Sequence, residues 1–227
     1  MSDWCCNDGS RFGLTTVPEE RGVVMSRYAF LVEQYASERL KTLAVWSEVS
    51  PAQMHRRLEP RGRSPHEQMV HQCLSEDGWM TKMLGIAVPQ AGVPPEETLA
   101  DFIAWYAAAS DVRLAALRSR DDAWFEALVP FFDAERSRAW VLLRRLTHSA
   151  HHRGQLQALL RADGAALWSV YGPTADTGGL PAQGGLVRYR YADLPTLLAA
   201  EVHAAAPRPE LLGRAADLPA PTERSGA

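Results

Sequence analysis

An all-α fold, with four long helices packed as a bundle, is what the sequence predicts, and three observations carry it. Four long segments before residue 164 place apolar side chains at helical spacing, with no proline beyond a first position. Helix starts are spelled out by Ser50-Pro51-Ala52-Gln53 and Ser64-Pro65-His66-Glu67, each with a Ser cap, Pro at the first helical position and a Gln or Glu at the third. The strand-like stretch at 187–191 stands alone, so nothing offers it a sheet. At 227 residues the chain is long enough for one core plus an appendage.

Residues 1–18, with Gly, Pro and Asn-Asp and no periodicity, are expected to form an irregular arm. The first helix is expected over 20–49, on the pattern Leu31, Val32, Tyr35, Leu40, Leu43 and Trp46. The box at 50–53 predicts a short helix, and Arg61-Gly62-Arg63 a turn. The box at 64–67 opens a second long helix to about residue 84 that carries His71, with Val70 and Leu74 taken as its apolar border. Residues 85–95 are a Pro-rich loop, and an Ala-rich third helix spans 97–119. The apolar stretch 123–132 is broken by Pro130 and is expected to connect elements over the end of the bundle. The fourth helix is expected over 134–162, stopping at Asp163-Gly164. Residues 165–187, with Gly pairs at 178–179 and 184–185, lack the Lys-Ser/Thr end of a phosphate loop and suit a structural loop or a lid, with 171–180 over the pocket. A last helix follows at 193–204. The organisation is therefore an arm (1–18), a bundle (19–164), a Gly-rich extension with a short helix (165–205) and a Pro/Ala-rich mobile tail (206–227).

The net charge of −3, with both signs mixed along the chain, gives no footprint for nucleic acid. No apolar run approaches the roughly 20 residues of a membrane span, and Cys5, Cys6 and Cys73 make no CxxC pair. The expectation is a cytoplasmic protein with no nucleic-acid or membrane partner.

Chemistry concentrates at His148, His151 and His152 on the fourth helix. On a wheel of about 100° per residue, His152 falls roughly 30° from the centre of the apolar set, His148 about 70° and His151 about 130°. His148 and His152 thus face inward, one turn apart, and His151 faces out. Two buried imidazoles side by side need a common partner, because paired charges would repel. A metal ion meets that demand, and one or two hydrogen-bonded core histidines are the alternative. His71 is the best third ligand on an antiparallel neighbour. His66 sits in a solvent-prone first turn, and His55 and His203 have no constellation around them. Cys73 reads as a small core hydrophobe, and Asp77 lies about 120° from His71, a poor place for a general base. The HExxH arrangement of a zinc protease is absent.

The run His148-Ser-Ala-His-His152-Arg-Gly-Gln155, together with Val70-His71-Gln72-Cys73-Leu74, resembles the DinB (damage-inducible, YfiT-like) family of metal-binding four-helix bundles over residues 20–162. The resemblance implies an up-down-down-up bundle, commonly a homodimer, with one divalent ion held by His71, His148 and His152. Arg153 and Gln155 also match. Arg153 can tie its helix to a carboxylate or meet an anion, Gln155 can support a ligand, and Gly154 permits close helix approach. Three neutral imidazoles with open positions for water or thiol describe a catalytic site rather than a closed one. Zn, Ni, Fe, Co or Mn suits such a donor set. The family implies a metal-dependent thiol transferase acting on a small-molecule substrate with a low-molecular-weight thiol, in detoxification or stress response. A metal-dependent hydrolase is the second reading, and a non-enzymatic, metal-stabilised stress or partner-binding protein the third.

Overall fold

The computed structural model describes residues 26–179 and 184–211, so the expected arm at 1–18, part of the 171–187 loop and most of the tail lie outside the described residues. Four long helices form the bundle: α1 (Ala29–Trp46), α2 (Pro65–Lys82), α3 (Leu99–Arg118) and, after a short α4 (Asp122–Glu126) and the strands β1 (Leu128–Phe131) and β2 (Ala134–Ser137), α5 (Arg138–Ala162). A 3-10 turn (Ala175–Thr177) and α6 (Leu194–Glu201) complete the described elements. α1 packs along α5 and α3, α2 along α5, and α6 against α3.

Local chemistry explains the starts and stops. Ser64 and Glu67 close the predicted capping box on α2: Glu67 N–H donates to Ser64 Oγ at 3.3 Å and Ser64 N–H to Glu67 Oε2 at 2.8 Å. Thr98 and Ser137 cap α3 and α5 through the backbone N–H of Asp101 and Trp140. α5 ends at Asp163-Gly164 as expected. Gly164 takes φ +85°, and Ala165 N–H returns to the Leu160 carbonyl at 2.9 Å.

Several expectations fail in detail. Residues 26–28 are not helical; Ser26 Oγ accepts from Tyr28 N–H and donates to Asp122, so the chain enters α1 through a side-chain tie to α4. The box at 50–53 makes one turn and no helix. Gln53 does reach back to Ser50 N–H at 3.1 Å, but the Met54 carbonyl accepts from His66 N–H at 2.8 Å, leaving no continuing ladder. The connection at 123–132 contains α4 and β1, and the fourth helix starts at 138 because 134–137 pair antiparallel with 128–131. The stretch 187–191 forms no strand; its main link is Ser169, which exchanges bonds with Arg188. Among the described residues no helix is long and apolar enough to cross a membrane.

The core is divided. One apolar cluster gathers Leu43, Trp46, Met69, Phe102, Ile103, Leu156 and Leu160, and a second gathers Leu31, Val32, Met80, Leu114, Leu117, Val141 and Leu142. Each long helix contributes to both. Between them each places polar residues on the inside: Glu38 and Thr42 on α1, Gln72 and Glu76 on α2, Ser110 and Arg113 on α3, Arg145, Ser149, His152 and Arg153 on α5. A mid-bundle polar layer costs desolvation, and it persists only where partners are supplied. Glu76 accepts from Tyr35 Oη at 2.6 Å, Tyr106 Oη at 2.5 Å, Arg113 at 3.3 Å and Arg145 at 3.4 Å.

Glu48, just beyond α1, shows the opposite balance. Burial pushes its carboxyl up to about 8, against the weaker pull of Arg190. The folded protein holds a proton that the unfolded chain releases, so this group's stabilisation is lost as pH rises from 4.5 to about 8. Glu48→Gln should flatten that loss, as melting temperatures of both proteins across this interval will show.

Candidate metal centre

His71 stands midway along α2, and His148 and His152 one turn apart on α5, level with the polar layer. One ring nitrogen from each of the three lies within 4.8 Å of the other two. Ring centroids are 4.4 Å apart for His71 and His152, 4.5 Å for His148 and His152, and 5.5 Å for His71 and His148. The Nε2 atoms of His148 and His152 are 3.3 Å apart. Two nitrogens each about 2.0–2.1 Å from one tetrahedral ion would be separated by about the same distance, so the donor set fits a metal. His151 is exposed on the outer face, as the wheel required, and touches the group only through a 5.1 Å ring contact with His152. Among the described residues no other three His, Cys, Asp or Glu side chains converge in this way.

The surroundings keep the rings neutral. Burial, then Arg145 and the neighbouring histidines, take His148 down to about 3. Burial, then His71, take His152 down to about 4. His71 is lowered by burial and then by Arg63 and Arg145. Neutral imidazoles keep the lone pairs that ligation requires.

The supporting partners were only partly foreseen. Gln68, one turn before His71, accepts at Oε1 from His152 Nδ1–H at 2.9 Å, which leaves the Nε2 lone pair facing the cluster. Gln155 accepts from Gln68 Nε2 at 3.4 Å and also bonds His152 directly, an influence that raises the ring against its burial. Arg145 lies 3.1 Å from His148 Nδ1 while also binding Ser75 and Glu76. Trp79 stacks near the His148 ring at 5.5 Å. Gln68, Glu76, Arg145 and Trp79 all escaped sequence reasoning. Their one signal was spacing: Gln68, Gln72 and Glu76 make an i, i+4, i+8 stripe, and Arg145 precedes His148 by three.

Other sequence candidates resolve differently. Leu74 is exposed and Val70 half-buried, so the apolar border drawn on α2 was misplaced; the buried stripe is Met69, Cys73 and Met80, mixed with the polar Gln68, Gln72 and Glu76. Arg153 is buried and bonded to Glu38, Thr42 and Tyr171, which makes it a tie between α5, α1 and the extension, with no contact to the three histidines. Gly154 faces solvent, and an added Cβ would meet nothing within 4 Å, so it serves no close approach. His66 is not solvent-bound; it pairs with Glu97 and packs on Phe102. His55 rests on His66, and His203 is exposed. Cys73 is buried, its thiol pushed up to about 12 by burial and then by Glu76, as suits a core residue. Asp77 is occupied by Arg113 and Gly92 N–H. Tyr171 lies against α1, its hydroxyl donating to Glu38 at 2.6 Å and its ring under Lys41, on ties that do not reach the histidines.

The sequence profile of the DinB superfamily matches residues 34–156, more than half of the chain and both histidine-bearing helices through His152. Among solved structures, a DinB-like protein from Bacillus cereus superposes with a TM-score of 0.54 at 16% identity, covering 62% of this chain and 95% of that one. A DinB-like protein from Bacillus subtilis gives a TM-score of 0.49 at 16% identity, over 61% of this chain and 94% of that one. At such identity the first likeness is one of fold. No curated protein matches the chain.

Proposed function

The chain belongs to the DinB superfamily, and from that premise and the geometry above we propose that it holds one divalent ion on His71, His148 and His152 and uses it for metal-dependent thiol S-transfer. The observation that carries the reading is the convergence of three neutral imidazoles within 4.8 Å. A divalent ion in such a site lowers the pKa of a bound thiol or water, making the anion available at neutral pH. Zn, Ni, Fe, Co and Mn all suit the donor set.

Among the described residues no free carboxylate stands beside the three histidines, which favours thiol over water. Hydrolysis wants a general base beside the nucleophile. Among the described residues no carboxylate belongs to the cluster; Glu76 is consumed by four donors, and Arg145 and Arg113 outweigh its burial to hold its pKa low. Asp77 is paired with Arg113. A thiol, with its ordinary pKa near 8.5, needs little such help. Its sulfur forms the new C–S bond as the electrophile's leaving group departs with the electron pair, and the thiol proton goes to solvent. Arg63, exposed, unpaired among the described residues and close enough to depress His71, can hold an anionic group of the thiol.

The finer architecture follows the same premise. α1 and α5 run from the Leu31 cluster to the Leu43 cluster and α2 and α3 run back, which supports an up-down-down-up order. The 83–98 connection is long enough for the crossover this order needs. We place the bundle at 19–164 with 165–205 as its appendage, and read the protein as a cytoplasmic homodimer.

Turnover of 1-chloro-2,4-dinitrobenzene with cysteine or glutathione, in metal-loaded and metal-stripped protein, tests the function. Metal- and thiol-dependent product supports transfer, whereas turnover indifferent to thiol favours hydrolysis. No turnover, with all metal positions filled by protein, favours the structural role. Gln68→Ala should weaken metal binding by about 10- to 100-fold, because His152 loses the acceptor that orients it; competition with a zinc-chelating dye measures this.

A further inference from the structure

The β1–β2 hairpin ends in a residue that turn chemistry does not account for. Phe132 is 76% exposed and has φ +54°. Left-handed backbone is costly for a bulky side chain, and Gly or Asn would make this two-residue turn without that strain. A strained, exposed and bulky aromatic residue gives a functional hypothesis its starting point.

Its neighbours point to the function. Phe132 lies 4.8 Å from Phe131 and 6.4 Å from Trp79, ring centre to ring centre. Phe131 meets Trp79 edge-on at 5.2 Å and Trp140 at 5.0 Å. Trp79 in turn faces the His148 ring at 5.5 Å and 30°. An unbroken aromatic ledge therefore runs from a histidine of the metal centre to the hairpin tip.

We propose that Trp79, Phe131 and Phe132 form an apolar wall of the ligand site and select a molecule with an aromatic or ring-sized apolar body whose polar head reaches the three histidines. This rests on the reading that those histidines hold an ion with open positions. Continuity with the metal centre favours a small ligand here over a second copy of the chain, since the ledge begins at a ligand ring.

Acetohydroxamate and benzohydroxamate share a chelating head and differ by a phenyl group in place of a methyl, so they isolate the wall. Titrated into zinc-loaded wild type, benzohydroxamate should bind about tenfold more tightly. Phe132→Ala and Phe132→Gly should each cut that preference by about fivefold and leave acetohydroxamate affinity unchanged. Phe132→Gly should keep or raise the melting temperature, since glycine relieves the turn. An unchanged preference, equal weakening of both hydroxamates, or a lost preference with a lowered melting temperature in Phe132→Gly overturns the proposal. Conversion of a dimer to monomer by Phe132→Ala with the preference intact assigns the ledge to a second copy and also overturns it. If neither hydroxamate binds zinc-loaded wild type, the open three-histidine site falls and the wall with it, an outcome distinct from failure of the wall alone.

Discussion

His152→Ala should abolish stoichiometric metal binding, and His151→Ala, its immediate neighbour, should leave it intact. His152 is buried, its Nε2 is 3.3 Å from that of His148, and its other nitrogen is fixed by Gln68. Removing it takes away the central ring of the three and orphans the Gln68 carbonyl oxygen. A ligand present at about a thousand times its Kd stabilises the folded state by about 4 kcal/mol, which for a chain of this size is a Tm difference on the order of 10 °C. His151 is exposed, so its truncation should stay within about 0.5 kcal/mol. Elemental analysis of protein purified without added metal, alongside thermal melts, checks both. Equal effects of the two substitutions would remove the basis for assigning the ion to the inner face.

Glu76→Ala should be the most damaging single change in the polar layer. The carboxylate is buried and receives Tyr35, Tyr106, Arg113 and Arg145 at once. Its removal leaves the Arg145 guanidinium, itself buried, without a counter-charge, and Arg113 with Asp77 alone. Breaking a buried pair by deleting one partner costs about 3–5 kcal/mol, so chemical denaturation should show a loss of that size. Because Arg145, freed from Glu76, can then donate fully to His148 Nδ1 and so leave that ring's proton on Nε2, metal affinity should fall as well, even though Glu76 is not part of the cluster. Glu76→Ala with full metal affinity would show that Arg145 does not govern the His148 tautomer.

The long helices were legible because their signals are local. Capping at Ser64 and the stop at Asp163-Gly164 depend on residues within a few positions, and the α5 wheel needs only the helical repeat. The same tools failed where neighbours decide. The box at 50–53 has the right residues, yet Met54 bonds His66 across the chain. On α2, Val70 and Leu74 looked inward on hydrophobicity alone, whereas the bundle buries Gln68, Gln72 and Glu76. A buried polar stripe reads from sequence as a solvent face, because periodicity reports spacing and not what lies opposite.

The sequence by itself determined four helices, the inward pair His148 and His152, the outward His151, and His71 as the third candidate, which the resemblance reinforced. Those depend on covalent spacing along one helix or on a motif. Only the tertiary structure decided the partners. It places Gln68 behind His152, Arg145 beside His148, Glu38 under Arg153, and Trp79 between His148 and the hairpin's Phe131. Each of those pairs except Arg145–His148 joins different elements, and a contact between separate elements is set by how the helices pack, which no local pattern encodes.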